Sequence, residues 1–361
     1  MINIDGNHGT FPTISHRVAA GYLKFLVKYP SGAAQGEEED LYGFFKAFYE
    51  NLYRQPDLFG LPLKEDDCIE EGEPHEKEKK QEVTARLKSP KELVARGLDF
   101  LIGAGLEGHL VGDSLVLDSG SQLIKQTKVG RKFLHALESA GLAVVPDNDR
   151  ITLHNSQFPA MMPALQSLAN ACTRYPRQQE VHFYFARCDF RALQPGYLPE
   201  AMDLYRESAG EDLARLTTLH EYFTGLGYHT ICGVSEPFFW IVQYQGDRKV
   251  KSTPLLQVEY QDRYRDPLRV CIKCASTGRI AALLPRQSQA LQEDFMRRAI
   301  RCSECGWCRN NKNLGPTVVE YKGEDKTLCW YSFPEVRGFD DRSVGLIQEY
   351  ARMHAELLPA S

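Results

Sequence analysis

Apolar positions first recur at helical spacing in EEEDLYGFFKAFYENLYRQP. There Leu41, Phe44, Phe45, Phe48 and Leu52 fall on one face, acids at 37–40 suit the positive end of a helix dipole, and Pro56 follows the end. The spacing predicts a buried helix face within a helical N-terminal region, residues 1–62. Packing is a far commoner use of such an aromatic stripe than a ligand groove. Beyond it the period fails. LKEDDCIEEGEPHEKEKKQEVTARL is dense in both charges, so residues 63–88 are expected to form an exposed linker or a solvated helix, with Cys68 and His75 incidental to it. Ser89-Pro90-Lys91-Glu92 then has the form of a capping box with Pro at the first helical position, starting a helix through ELVARGLDFLI.

A repeat follows. Residues 101–119 overlay 137–155 at a constant shift of 36, matching Ala104-Gly105-Leu106 to Ala140-Gly141-Leu142, Asp113 to Asp149, Leu115 to Ile151 and Leu117 to Leu153. Each copy reads as an amphipathic helix, a glycine stop and two short strands around a polar turn, which makes residues 89–177 a tandem helix-hairpin region. The same stretch contains GxGxxG at Gly103, Gly105 and Gly108, and GDSL at 112–115. A dinucleotide fingerprint needs a strand before its glycines, a helix after them and an acid about 20 residues on. Here a helix precedes, strand-like residues follow, and no acid occurs over 122–128, so no nicotinamide or flavin cofactor is expected. A GDSL hydrolase needs a late Asp-x-x-His pair to activate its serine, and no Asp-x-x-His follows Ser114 in this chain.

A helix followed by a hairpin, as in GRKFLHALESAGLAVVPDNDRITLH, is also the closing part of a winged helix, whose helix enters a DNA groove. Glu138, Asp147 and Asp149 at exposed positions repel phosphate, and a plain α+β layer is the alternative. From residue 178 to 361 the pattern is that of an antiparallel α+β domain. VHFYFARCDF reads as a strand, LPEAMDLYRESAGEDLARLTTLHEYFTGLG as two helices, and PFFWIVQYQ, PLLQVEY and PLRVCIKC as successive strands of a meander. His220-Glu221 lacks the second His of a zinc-protease helix. TVVEYKGEDKTLCWYSF reads as a hairpin turning at 323–325, and SVGLIQEYARMHAELL as a last amphipathic helix with Val344, Ile347, Tyr350, Ala351 and Leu358 inward and His354 half-exposed.

The whole is therefore expected to be a multidomain α+β protein. Its 361 residues, 43% hydrophobic and 25% charged, suit two or three globular units. The N-terminal residues lack the pattern of a secretory signal, and no apolar run approaches the ~20 residues needed to span a bilayer, so a cytoplasmic address without membrane association is expected. In that compartment the ten cysteines read as thiols or metal ligands.

Candidate chemistry concentrates in CIKC at 271–274 and CSECGWC at 302–308. Two C-x-x-C turns offer four thiolates to one tetrahedral zinc, as in a zinc ribbon, which selects Cys271, Cys274, Cys302 and Cys305, with SQALQEDFMRRAIRC as an intervening helix. Cys308 is a fifth candidate and Cys329 a stand-in. Cys302, Cys305 and Cys308 also match three corners of an iron–sulfur cluster, although the usual Cys-Pro continuation is absent; a C-x-x-C redox pair is the third option.

Between Asp247 and Asn313 fourteen Lys and Arg face seven Asp and Glu, inside a chain whose net charge is −5. Arg263, Arg265, Arg269, Lys273, Arg297, Arg298, Arg301 and Arg309, with Trp307, are candidates for a face that binds nucleic acid. Two functions stay open: a non-enzymatic zinc protein, regulatory in character, acting through that face on nucleic acid or protein, and a redox enzyme or electron-transfer protein using the same cysteines.

Overall fold

The stripe on the second helix organises the first half of the chain. In a computed structural model describing residues 11–27, 35–66, 76–234, 239–246, 256–261, 268–272, 277–302, 315–329, 335–337 and 340–356, α1 (Ile14–Phe25) is followed by α2 (Gln35–Arg54). Leu41, Phe44, Phe45, Phe48 and Leu52 of α2 are all fully buried. Phe48 meets Phe59 and Phe133 edge-on at centroid distances of 5.7 and 5.8 Å, and Phe45 meets Phe185 at 5.6 Å. Each such pair adds about 0.5–1.5 kcal/mol beyond the area it buries. The stripe is core.

The next helix corrects the expected start at Ser89. α3 (Glu76–Glu107) runs straight through Pro90. Val83 and Leu87 before the proline, and Val94, Leu98 and Leu101 after it, are buried at helical spacing. A proline inside a helix costs about 3 kcal/mol, and burial of this continuous stripe offsets it. Two apolar residues among so many charges were too few to show a period. Cys68 and His75 lie outside the described residues.

The glycines of GxGxxG have packing roles. A Cβ on Gly103 would stand 2.5 Å from a Leu123 methyl, one on Gly105 2.8 Å from the Ala169 methyl and 3.0 Å from the Leu165 carbonyl, and one on Gly108 2.7 Å from the Ala104 carbonyl. Gly103 and Gly105 let neighbouring helices approach α3 closely, and Gly108 makes room for Leu115 of the hairpin that follows.

β1 (His109–Val111), β2 (Ser114–Leu117), α4 (Gly120–Thr127), α5 (Arg131–Leu137), β3 (Leu142–Asp147) and β4 (Arg150–Asn155) come next. The strands form one sheet in the order β1-β2-β4-β3. Its central pairing sets Val116 opposite Thr152, positions related by the 36-residue shift. The hairpin turns match as well, with positive φ at Gly112 (59°) and at its counterpart Asn148 (56°). Ser114 of GDSL pairs with Val111 as the first residue after such a turn. The copies differ at the glycine stop: Gly141 ends a helical turn at φ 83°, whereas Gly105 lies inside α3.

α6 (Met161–Cys172) and α7 (Gln178–Ala186) complete this part. α7 replaces the strand expected over VHFYFARCDF. Val181, Phe183, Tyr184, Phe185 and Ala186 are all buried, so neither period is visible, and Glu180 closes a capping box with Arg177 at the N-terminus.

The chain divides into two units, the first built on Met1–Leu198 and the second on most of the residues from Pro199 onward. In the second, α8 (Ala201–Ser208) and α9 (Leu213–Gly225) precede β5 (His229–Val234), β6 (Phe239–Gln245), β7 (Leu256–Gln261) and β8 (Leu268–Ile272). After them come α10 (Thr277–Leu283), α11 (Gln289–Arg298), the hairpin β9 (Thr317–Tyr321) and β10 (Glu324–Leu328), β11 (Glu335–Arg337) and α12 (Asp341–Ala355). The larger sheet has the order β11-β8-β7-β6-β5, with β8 antiparallel to both β7 and β11, so the architecture is α+β. The β9–β10 hairpin turns at Lys322 (φ 53°) and Gly323 (φ 77°), slightly earlier than the expected 323–325. Val344, Ile347, Tyr350 and Ala351 are buried as expected; His354 is buried too, not half-exposed, and Leu358 lies outside the described residues. Among the described residues no helix is long and apolar enough to cross a membrane.

Phe133 of α5 sits over Gly97 of α3 so closely that a Cβ on Gly97 would overlap its ring. Gly→Ala in a helix ordinarily stabilises by about 0.5–1 kcal/mol. Gly97→Ala is expected to reverse that sign, because displacing a packed ring costs about 1–3 kcal/mol. A lower urea midpoint checks this; a raised one contradicts the packing.

Candidate nucleic-acid interface and the cysteine-bearing sheet

α4 and α5 are joined by Lys128, Val129 and Gly130. Lys128 takes the left-handed conformation that ends α4, the Val129 side chain is buried, and the Gly130 carbonyl accepts the Leu134 amide as α5 begins. The two helices are thus consecutive and linked by a three-residue turn containing glycine. Both are anchored from beneath. Leu123 packs at Gly103, the first residue of α4 lies on Ile151, and Phe133, Leu134, Ala136 and Leu137 point into the core. The β3–β4 turn is tied to the start of α4, because the Ser121 amide and hydroxyl donate to the Asp149 and Asn148 carbonyls, both at 3.0 Å.

What this arrangement presents to solvent is positive. Residues 119–137 contain Lys125, Lys128, Arg131 and Lys132 and no Asp or Glu. All four cations are exposed, and none makes a hydrogen bond or ion pair with another described residue. The flanking acids are engaged: Asp118 receives the Arg150 guanidinium at 2.9 Å, and Glu138 lies 3.2 Å from His135. Four uncompensated cations within eight residues of sequence repel one another, at a small cost to stability. In the sequence the acids of the hairpin mask an acid-free gap between Asp118 and Glu138. That gap was the available signal.

The basic stretch favoured by the sequence is largely used up internally where it is described. Arg269 is buried, its guanidinium donating to Glu259 and, at 2.8 Å, to Glu335. Burial works against that charge, and Cys271, Glu335 and Glu259 outweigh it and raise its pKa. Arg298 donates to Asp294 at 2.9 Å and to the Glu335 carbonyl at 2.6 Å. Arg297 also goes to Asp294, at 2.6 Å, rather than to Glu293, whose partner is Lys322 at 3.2 Å. Arg301 is exposed in an isolated bridge opposite Leu328. Arg269 therefore leaves the basic face as a structural ion pair. Arg263, Arg265, Lys273, Trp307 and Arg309 lie outside the described residues.

Of the clustered cysteines, Cys274, Cys305 and Cys308 lie outside the described residues. Cys271 is buried in β8 between Gln257 of β7 and Glu335 of β11, on the sheet face that also carries Glu259 and Arg269. Cys302 and Cys329 are brought together: the Cys302 amide donates to Thr327 O at 3.0 Å and the Cys329 amide to Ile300 O at 2.8 Å. Both side chains thus fall on the face opposite Arg301 and Leu328. Among the described residues no group of three or more His, Cys, Asp or Glu is arranged around a common point. Burial pushes Cys172 and Cys188 up, and burial followed by Asp203 and Glu200 raises Cys232 to about 12.

His220 ends a hydrogen-bonded chain, with its Nδ1 3.0 Å from the Tyr244 hydroxyl, which lies 2.9 Å from that of Tyr205; burial lowers its pKa. Burial also lowers His354 to about 4, and its Nδ1 has no partner among the described residues. An unfolded histidine titrates near about 6.5, so between these values the unfolded chain binds more protons and stability rises with pH. The stability is complete above the upper value and drains away as pH falls toward the lower. The urea midpoint at pH 5 is expected to lie below that at pH 7, with a shallower dependence in His354→Leu; equal slopes would contradict it.

The chain matches no known family model, no curated protein and no solved structure.

Proposed function

We propose that this is a non-catalytic nucleic-acid-binding protein whose contact face is α4, its turn and α5, with a structural metal in the second unit. The observation that carries the reading is the patch of four exposed, unpartnered cations with no acid among them. Cations in that state are what neutralises a phosphate backbone. The element order supports a winged-helix reading: α3, β2, α4, α5, then the β3–β4 hairpin, with β2 beside β4. A fluorescence-anisotropy titration with mixed-sequence nucleic acid is expected to show binding at low salt that weakens steeply as salt rises. Absence of binding at low salt would remove the reading.

For the metal we propose zinc, held by Cys271, Cys274, Cys302 and Cys305 in the manner of a zinc ribbon, with Cys308 as the alternative ligand. Two C-x-x-C turns supply a tetrahedral thiolate set, and the paired segment carrying Cys302 and Cys329 keeps a third supply of sulfur beside it. Bound there, zinc would contribute directly to folding. Elemental analysis of anaerobically purified protein is expected to give one zinc per chain, and Cys302→Ser to lower zinc content and melting temperature together. Several irons per chain would instead favour the iron–sulfur, electron-transfer reading, and an unchanged zinc content in the variant would sink this ligand set.

A further inference from the structure

Resting on the nucleic-acid reading, we infer that the ligand of the α4–α5 face is double-helical DNA of the B form, taken with α5 in the major groove. Three observations select it.

The first is shape. Phe133, Leu134, Ala136 and Leu137 fix the inner side of α5, so Arg131, Lys132 and His135 project together on the outside. At about 1.5 Å per residue the seven residues of α5 span about 10 Å. An α-helix, about 10–12 Å across with its side chains, fits a groove about 12 Å wide, whereas the deep, narrow major groove of duplex RNA does not admit one.

The second is the scarcity of stacking surface. Sequence-tolerant single-strand binders set bases on exposed aromatic rings. The only Phe, Tyr or Trp in residues 119–137 is Phe133, and it is buried. His135, the exposed ring of α5, lies against Glu138, so the face offers cations to a duplex backbone and little surface to splayed bases.

The third is the pair of amides beside the cations. Gln122 and Gln126 are exposed on α4, and their side chains make no hydrogen bond with a described residue. A carboxamide can pair with the N6 and N7 edge of adenine, and a guanidinium such as that of Arg131 with guanine. Lys125, Lys128 and Lys132 then serve the phosphates. The β3–β4 turn carries Asp147 and Asp149 and is held against α4 by Ser121. The two helices, and not this hairpin, therefore make the contact.

The test uses the full chain and three labelled ligands of one mixed sequence and about 20 nucleotides: duplex DNA, single-stranded DNA and duplex RNA. Duplex DNA is expected to bind at least tenfold more tightly than either competitor at equal salt. Lys125→Ala and Lys132→Ala are each expected to weaken it severalfold and to reduce the slope of log affinity against log salt by about 1. Gln126→Ala is expected to leave that slope unchanged while altering the ranking of duplex sequences. All three side chains are exposed and unpartnered, so the variants are expected to keep the parent melting temperature. Equal or tighter binding of single strand or RNA duplex overturns the inference and leaves the nucleic-acid reading standing. Slopes unchanged in both lysine variants also overturn it, by moving the contact elsewhere, and no binding of any ligand overturns both.

Discussion

The seating of Phe133 against Phe48 and Phe59 and over Gly97 is the contact on which the first unit's surface depends. α5 has seven residues, too few to hold a helix by propensity alone. Its orientation comes from that ring and from Leu134, Ala136 and Leu137, all buried. Once the apolar side is fixed, the 3.6-residue period leaves Arg131, Lys132 and His135 no place but solvent. The aromatic stripe of α2 thus acts at a distance from that surface: it forms the wall that sets which way the cations face.

Close helix packing is the second constraint. Gly103 admits Leu123 of α4, and Gly105 admits α6. A glycine pattern that resembles a phosphate-binding fingerprint is here a way of bringing helices together, which places α4 beside α5 and leaves Lys125 and Lys128 on the same side of the chain's turn. The charge that remains is unspent. In the second unit Arg269 is instead matched by Glu259 and Glu335, and Arg298 by Asp294.

Much of this was legible in the sequence wherever one face of an element was apolar and the other polar. The stripe of α2, the 36-residue correspondence of the two hairpins, the strands β6 to β8 and the last helix all had a clear period. The signal failed where burial was total or sparse. α7 is buried nearly all round and resembled a strand, while α3 before Pro90 rests on Val83 and Leu87 alone within a charged segment. Charge counting failed for a different reason. A net count over 247–313 cannot tell a guanidinium locked between two carboxylates from one facing water, and Arg269 is the former. The reverse case, an acid-free run of 19 residues from 119 to 137, was visible in the letters and became meaningful once the structure showed its cations unpaired.

Amide hydrogen exchange, followed by mass spectrometry with and without a saturating DNA duplex, tests the central claim most directly, because it locates the contact without altering the chain. New protection concentrated in peptides covering 119–137 is the predicted result. Protection confined to the arginine-rich stretch 247–313, with 119–137 unchanged, would contradict it.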